Sequence, residues 1–247
     1  KGSMFGWRAR IGVLLPPGNP TVEPELWGMA PAGVSLHFAR LETPPSVGKA
    51  GEPEGMEDRI RAYREGLAGP ATALGQVRPA VVILAHTASS YALGFGKEQA
   101  LVDRIAELSG ASALLAARAV LAALQHLGVK RLALGTPYPE SISRQGKAYW
   151  EAAGFDIVGY HRLEDVKDIY AENEERAYLL ARRADAGGAD AVLLSGTGLP
   201  TVAVLETLER DLGKPVISSN QASLWQALRM SGVREAIPGF GRLLRET

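Results

Sequence analysis

The chain has 247 residues, 46% of them hydrophobic, enough to bury the core of one large α/β domain or of two lobes of about 120 residues each. Lys+Arg and Asp+Glu balance at 27 each, so no net field favours nucleic acid or an anionic membrane, and no apolar run reaches the roughly 18 residues that span a bilayer. Cysteine is absent, which excludes disulfides, thiolate metal sites and thiol catalysis. A cytoplasmic protein without a secretory signal is expected, and the opening Lys1-Gly2-Ser3 before Met4 reads as an expression remnant.

Short β-rich runs at 11–15, 34–39, 80–85, 113–115, 131–135, 156–160, 191–194 and 216–218 alternate with segments of helical periodicity. Those segments lie at 56–74, 97–109, 117–127, 141–153, 173–186, 201–212 and 222–231. Nearly unbroken aliphatic runs such as Val81-Val82-Ile83-Leu84 suit parallel strands covered on both faces, so the class is doubly wound α/β. Segment 43–55 is rich in Pro and Gly and is expected to be a loop that borders the site as a lid.

The order of elements repeats. Each half runs strand, helix, strand, helix, and then a strand that delivers a polar turn, Ala85-His86-Thr87-Ala88-Ser89 in the first half and Ser195-Gly196-Thr197-Gly198 in the second. The expectation is two pseudo-symmetric lobes with mainly parallel sheets. Lobe 1 takes residues 1–116, completed by 219–247, and lobe 2 takes 117–218. Ligands of such folds sit beyond the carboxyl ends of the strands, which places a cleft between the lobes. The alternative from spacing alone is one continuous sheet with ordinary connecting loops.

Within these turns, His86 follows directly on a buried strand, and an imidazole near its ordinary pKa of ~6.5 can both take and give a proton at neutral pH. Its competing reading is a helix cap or a carbonyl partner. His37, His126 and His161 fall in a strand, near a helix end and at a strand end, and rank lower. No His and carboxylate residues stand at metal-ligand spacing, so no metal is expected. Serine and threonine in αβ turns commonly cap helices, which is the competing role for each turn hydroxyl.

Four segments together resemble the aspartate/glutamate racemase superfamily, in the branch that holds arylmalonate decarboxylase and maleate cis-trans isomerase. They are Arg10-Ile11-Gly12-Val13-Leu14-Leu15-Pro16-Pro17-Gly18-Asn19-Pro20-Thr21-Val22-Glu23, the His86 turn with Tyr91 and Gly94, Gly135-Thr136-Pro137-Tyr138, and the Ser195 turn with Gly213-Lys214-Pro215-Val216-Ile217-Ser218-Ser219-Asn220. The resemblance implies cofactor-independent chemistry next to a carboxylate, on a small carboxylate or dicarboxylate, with an enolate-like intermediate and a possible homodimer. Carried over by position, it implies catalytic roles for His86, Tyr138 and Thr197. It implies substrate contacts from Pro17, Asn19, Thr87, Ala88, Ser89, Ser195, Gly196 and Gly198.

The chain departs from that pattern at its most reactive points. His86 occupies the first-lobe cysteine position, and the second falls on Gly196 or Thr197, so a two-thiol relay and a cysteine adduct are both excluded. The favoured expectation is a decarboxylase-like reaction with His86 as proton donor. A maleate-type isomerase using His86 or water, and a carboxylate-binding relative without catalysis, are the alternatives.

Overall fold

Two four-stranded parallel sheets carry the fold, as seen in a computed structural model that describes residues 5–246. The opening Lys1-Gly2-Ser3 lies outside the described residues. The first sheet contains β1 (Ala9–Leu15), β2 (Val34–Arg40), β3 (Val81–Leu84) and β4 (Ser112–Leu115) in the order β2-β1-β3-β4. The second contains β5 (Arg131–Thr136), β6 (Asp156–Arg162), β7 (Ala191–Leu194) and β8 (Val216–Ser218) in the order β6-β5-β7-β8. Both sheets thus place their second strand at one edge and their fourth at the other. That common order is the internal duplication anticipated from the sequence, and it replaces the single continuous sheet.

The central strands are buried except at Arg10 of β1 and Arg131 of β5. In β3 and β7 every side chain is inside, because helices cover both faces of a parallel sheet. The helices are α1 (Val22–Met29), α2 (Met56–Glu65), α3 (Ala68–Gly75), α4 (Thr87–Leu93), α5 (Gln99–Ser109), α6 (Ala116–His126), α7 (Glu140–Ala152), α8 (Glu174–Ala184), α9 (Leu205–Leu212), α10 (Ser219–Met230) and α11 (Arg242–Arg245).

The periodicity over 56–74 predicts one helix, but the chain forms two, α2 and α3. At Gly66 the backbone of Glu42 comes so close that a Cβ would lie 1.8 Å from its carbonyl oxygen, and the Glu42 amide bonds the Gly66 carbonyl at 3.0 Å. The helix therefore breaks where the strap after β2 crosses it. Helices α1, α4 and α11 are additional to the sequence expectation. Helix α10 starts with a capping box in which Ser218 and Gln221 bond each other's backbone. It packs on α6 and α1, bringing Ser219 and Asn220 between the two strand ends.

The 43–55 segment contains a 3-10 turn at Pro45–Val47 and crosses from lobe 1 towards lobe 2. Its Gly51 carbonyl accepts from the Ile169 amide at 2.8 Å. No described helix is long and apolar enough to cross a membrane.

Candidate functional site

Both polar turns leave the carboxyl ends of their sheets and meet. Thr197 Oγ1 donates to the carbonyl of Ala85 at 2.9 Å and receives the Asn19 amide at 3.3 Å. Thr21 Oγ1 donates to the Gly198 carbonyl at 2.9 Å. Ser219 Oγ accepts both the Thr87 hydroxyl at 2.9 Å and the Gly196 amide at 3.1 Å, joining the first turn of each lobe through one atom. Every one of these groups is buried, and each buried hydrogen bond left unmade would cost about 1–3 kcal/mol, so the convergence is held firmly.

A small cavity lies beside this junction, with about 30 Å³ accessible to the centre of a water molecule. Asn19, His86, Tyr138, Thr197 and Gly198 from the predicted set line it. The other predicted contacts do not. Pro17 is half-buried in the turn before Asn19, and Ala88 packs in the hydrophobic core. Thr87 and Gly196 spend their polar groups on Ser219, and Ser89 bonds His86. Ser195 bonds the Tyr91 hydroxyl at 2.7 Å.

Arg59, Tyr63 and Tyr170 are lining residues that the sequence reading did not single out. Arg59 and Tyr63 stand four apart on α2 and so share one helix face, the only sequence signal that links them. Tyr170 arrives from a 3-10 turn at Ile169–Ala171, where Asp168 caps the Tyr170 amide at 2.9 Å. Its ring is closely packed over Gly18 and Gly198; a Cβ on Gly198 would sit 2.8 Å from it. The Tyr63 and Tyr170 hydroxyls bond each other, and burial pushes both up from the ordinary tyrosine value.

A buried chain of donors reaches Tyr138 from behind. The Trp150 indole N–H, which can only donate, reaches the Tyr91 oxygen at 2.9 Å. The Tyr91 and Ser195 hydroxyls bond each other, with either oxygen able to donate, and the Ser195 hydroxyl also bonds Tyr138. Thr87 or a ligand in the cavity can receive the Tyr138 proton, so Tyr138 is able to face a ligand as a donor. Burial pushes its pKa far up and that of Tyr91 up to about 12, so neither phenol serves as a proton source near neutrality.

His86 lies between strand end and helix start, with Nδ1 bonded to Ser89 Oγ at 2.8 Å and the Tyr63 ring edge-on at 5.0 Å between centroids. Nδ1 is thereby engaged, and Nε2 is the nitrogen left for a ligand. Protein surrounds the ring except where it meets the cavity. Burial first, and the Arg64 charge second, lower its pKa to about 3, so the imidazole is neutral at physiological pH.

This displacement makes folding pH-dependent. Unfolded His86 takes up a proton near its ordinary value of 6.5, whereas the folded ring does so only near 3, so its contribution is fully present above 6.5 and lost as pH falls towards 3. Wild type is expected to lose about 1–2 kcal/mol more than His86→Asn between pH 7 and pH 5. Denaturant unfolding at both pH values checks this; equal losses would place the imidazole in contact with bulk water.

Among the described residues no group of three or more His, Asp or Glu side chains could hold a metal ion. The cavity wall carries one guanidinium, three phenols, an amide, a hydroxyl and a neutral imidazole, and no carboxylate lines it. Such a wall offers hydrogen-bond donors and positive charge, the complement of a small anion.

Comparison with known proteins agrees with that chemistry. The arylmalonate decarboxylase family model matches residues 11–244. The chain is 31% identical to an arylmalonate decarboxylase of Bordetella bronchiseptica, over 96% of this chain and 97% of that one. It is 30% identical to a maleate isomerase of Nocardia farcinica, over 96% of each. A solved structure of the Nocardia farcinica maleate cis-trans isomerase, a serine variant with a covalently bound succinylcysteine intermediate, superposes with a TM-score of 0.85 at 30% identity, covering 97% of this chain and 99% of that chain. With a family model across nearly the whole length and relatives at this identity, the chain belongs to the arylmalonate decarboxylase family.

Proposed function

We propose that the protein is a cofactor-independent decarboxylase of a small dicarboxylate, acting through an enediolate that His86 protonates on carbon. The observation that carries this reading is the cavity wall itself, which is rich in donors, free of carboxylates and holds one imidazole whose proton affinity a bound anion would raise. Asn19 and Tyr138 hold the retained carboxylate as charge builds on it, with the Thr197 hydroxyl orienting the Asn19 amide, and a donor aimed at such developing charge contributes about 3 kcal/mol. The bond between the α-carbon and the departing carboxylate breaks, carbon dioxide leaves, and its electron pair becomes the enediolate. A bound dianion beside the ring raises the His86 pKa, so the ring enters the step as imidazolium, having taken its proton from solvent. It gives that proton to carbon and ends neutral.

A second reading rests on the depressed pKa of His86 in the unliganded cavity. A neutral imidazole has a free lone pair, and addition of Nε2 to one alkene carbon of a maleate-like diacid would leave a single bond free to rotate before elimination. Incubation in deuterated water with a substituted malonate and with maleate separates the readings. Decarboxylation releases carbon dioxide and leaves one deuterium on carbon; isomerisation yields the trans acid with no change in mass of the carbon skeleton. Ligand-dependent thermal stabilisation with neither product after long incubation would overturn both and leave a carboxylate-binding protein.

A further inference from the structure

Arg59 is the one permanent cation in the cavity wall, and it is only 3% exposed. Burying a guanidinium is costly unless an anion or a full set of acceptors replaces water. Among the described residues no carboxylate lies within ion-pair distance of Arg59. Its Nη1 donates to the carbonyls of Glu54 at 2.9 Å and Val47 at 3.2 Å, its Nη2 donates to the carbonyl of Glu52, and the guanidinium also bonds the Tyr63 hydroxyl. The Glu52 carboxylate turns away to Lys49 at 3.4 Å. The cation is thus held by dipoles of the 43–55 segment and its formal charge is left for something in the cavity.

The polar side chains of the wall fall into two groups. Asn19, Tyr138 and Thr197 belong to the turns at the sheet ends, whereas Arg59, Tyr63 and Tyr170 belong to α2 and the facing 3-10 turn. A monocarboxylate uses one group, and a diacid uses both. We propose that Arg59 is the specificity-determining residue of this site and receives the second carboxylate of a dicarboxylate, while its bonds to Val47, Glu52 and Glu54 tie the 43–55 segment over the bound ligand. This rests on the reading of the cavity as a carboxylate site. It adds that recognition of the second acid group and closure of the segment run through one side chain.

The test compares malonate and maleate with their monomethyl esters by calorimetry, since each ester keeps one carboxylate and loses the other. Wild type binds the diacids more tightly than the half-esters by roughly tenfold to a hundredfold, the range of one charge-assisted pair. In Arg59→Met that preference collapses towards one while half-ester affinity is retained, and trypsin cuts 43–55 at the same rate with and without diacid. If Arg59→Met does not fold, Arg59→Lys serves, because an ammonium cannot serve three carbonyls and an acid together and the preference falls by about threefold or more. Half-ester binding without any diacid preference in wild type, or an unchanged preference in either variant, overturns the role of Arg59 and leaves the carboxylate site standing. Wild type that binds neither diacid nor half-ester overturns both.

Discussion

His86→Ala is expected to lower turnover by about 10²–10⁴-fold, the usual contribution of a positioned acid or base, with diacid binding changed far less. The imidazole, whose pKa burial lowers to about 3 in the unliganded cavity, is the lining group that a bound dianion would bring towards neutral pH, whereas the three phenols are all pushed up by burial. Its Nδ1 is fixed by Ser89, so the ring cannot swing and Nε2 keeps one aspect towards the ligand. The Tyr63 ring against its side blocks a second rotamer. Single-turnover measurements isolate the chemical step from release. A variant that turns over at the wild-type rate under those conditions would remove His86 from the mechanism and move the proton to water.

A second large effect is expected from Glu25, far from any bond that changes. Its carboxylate accepts the Thr201 amide at 2.6 Å, the Val202 amide at 2.8 Å and the Asn220 side-chain amide at 2.7 Å, and Asn220 in turn donates to the Thr197 carbonyl at 3.0 Å. The carboxylate therefore ties α1 of lobe 1, the start of the 3-10 turn at Val202–Val204, and α10 to the turn that carries Thr197. Burial raises its pKa, with the three donors opposing that rise. Glu25→Ala strands three donors at once and is expected to destabilise the fold by about 2–4 kcal/mol in denaturant unfolding. Glu25→Gln keeps two acceptor positions on its amide oxygen and is expected to lose less than half as much. Equal losses for the two variants would mean that packing, not acceptance of hydrogen bonds, is what Glu25 supplies.

The strands were legible because their signal is local. A parallel strand buried on both faces is an aliphatic run, and all eight expected runs, the half-buried edge strands β2 and β6 included, form strands with ends differing by at most two residues. Helix α4 was not legible for the opposite reason. Thr87, Ser89 and Ser90 read as a polar turn, yet all three are buried, and Thr87 bonds Ser219, a partner that no local window supplies. Helix α1 carries Pro24 within its first turn, which hides the spacing of Val22, Leu26 and Met29 on its buried face. At the site, His86, Asn19, Tyr138, Thr197 and Gly198 stand at the ends of strands or just beyond them, where topology alone directs attention. Arg59 resembles the charged face of any surface helix and Tyr170 any loop aromatic. Only the crossing of the 43–55 segment towards the Ile169–Ala171 turn makes them neighbours.

The joint between the lobes and the cover of the cavity are fastened very differently. Parting the sheets would break the buried contacts of Ser219, Thr197, Asn19 and Thr21 together with the Glu25 cluster, whereas lifting the 43–55 segment gives up the Gly51 contact and the carbonyls around Arg59. Ligand traffic is therefore expected to have its own small barrier, set by local unfolding of one strap and separate from the global one. Temperature or denaturant should loosen the doorway well before the walls give way.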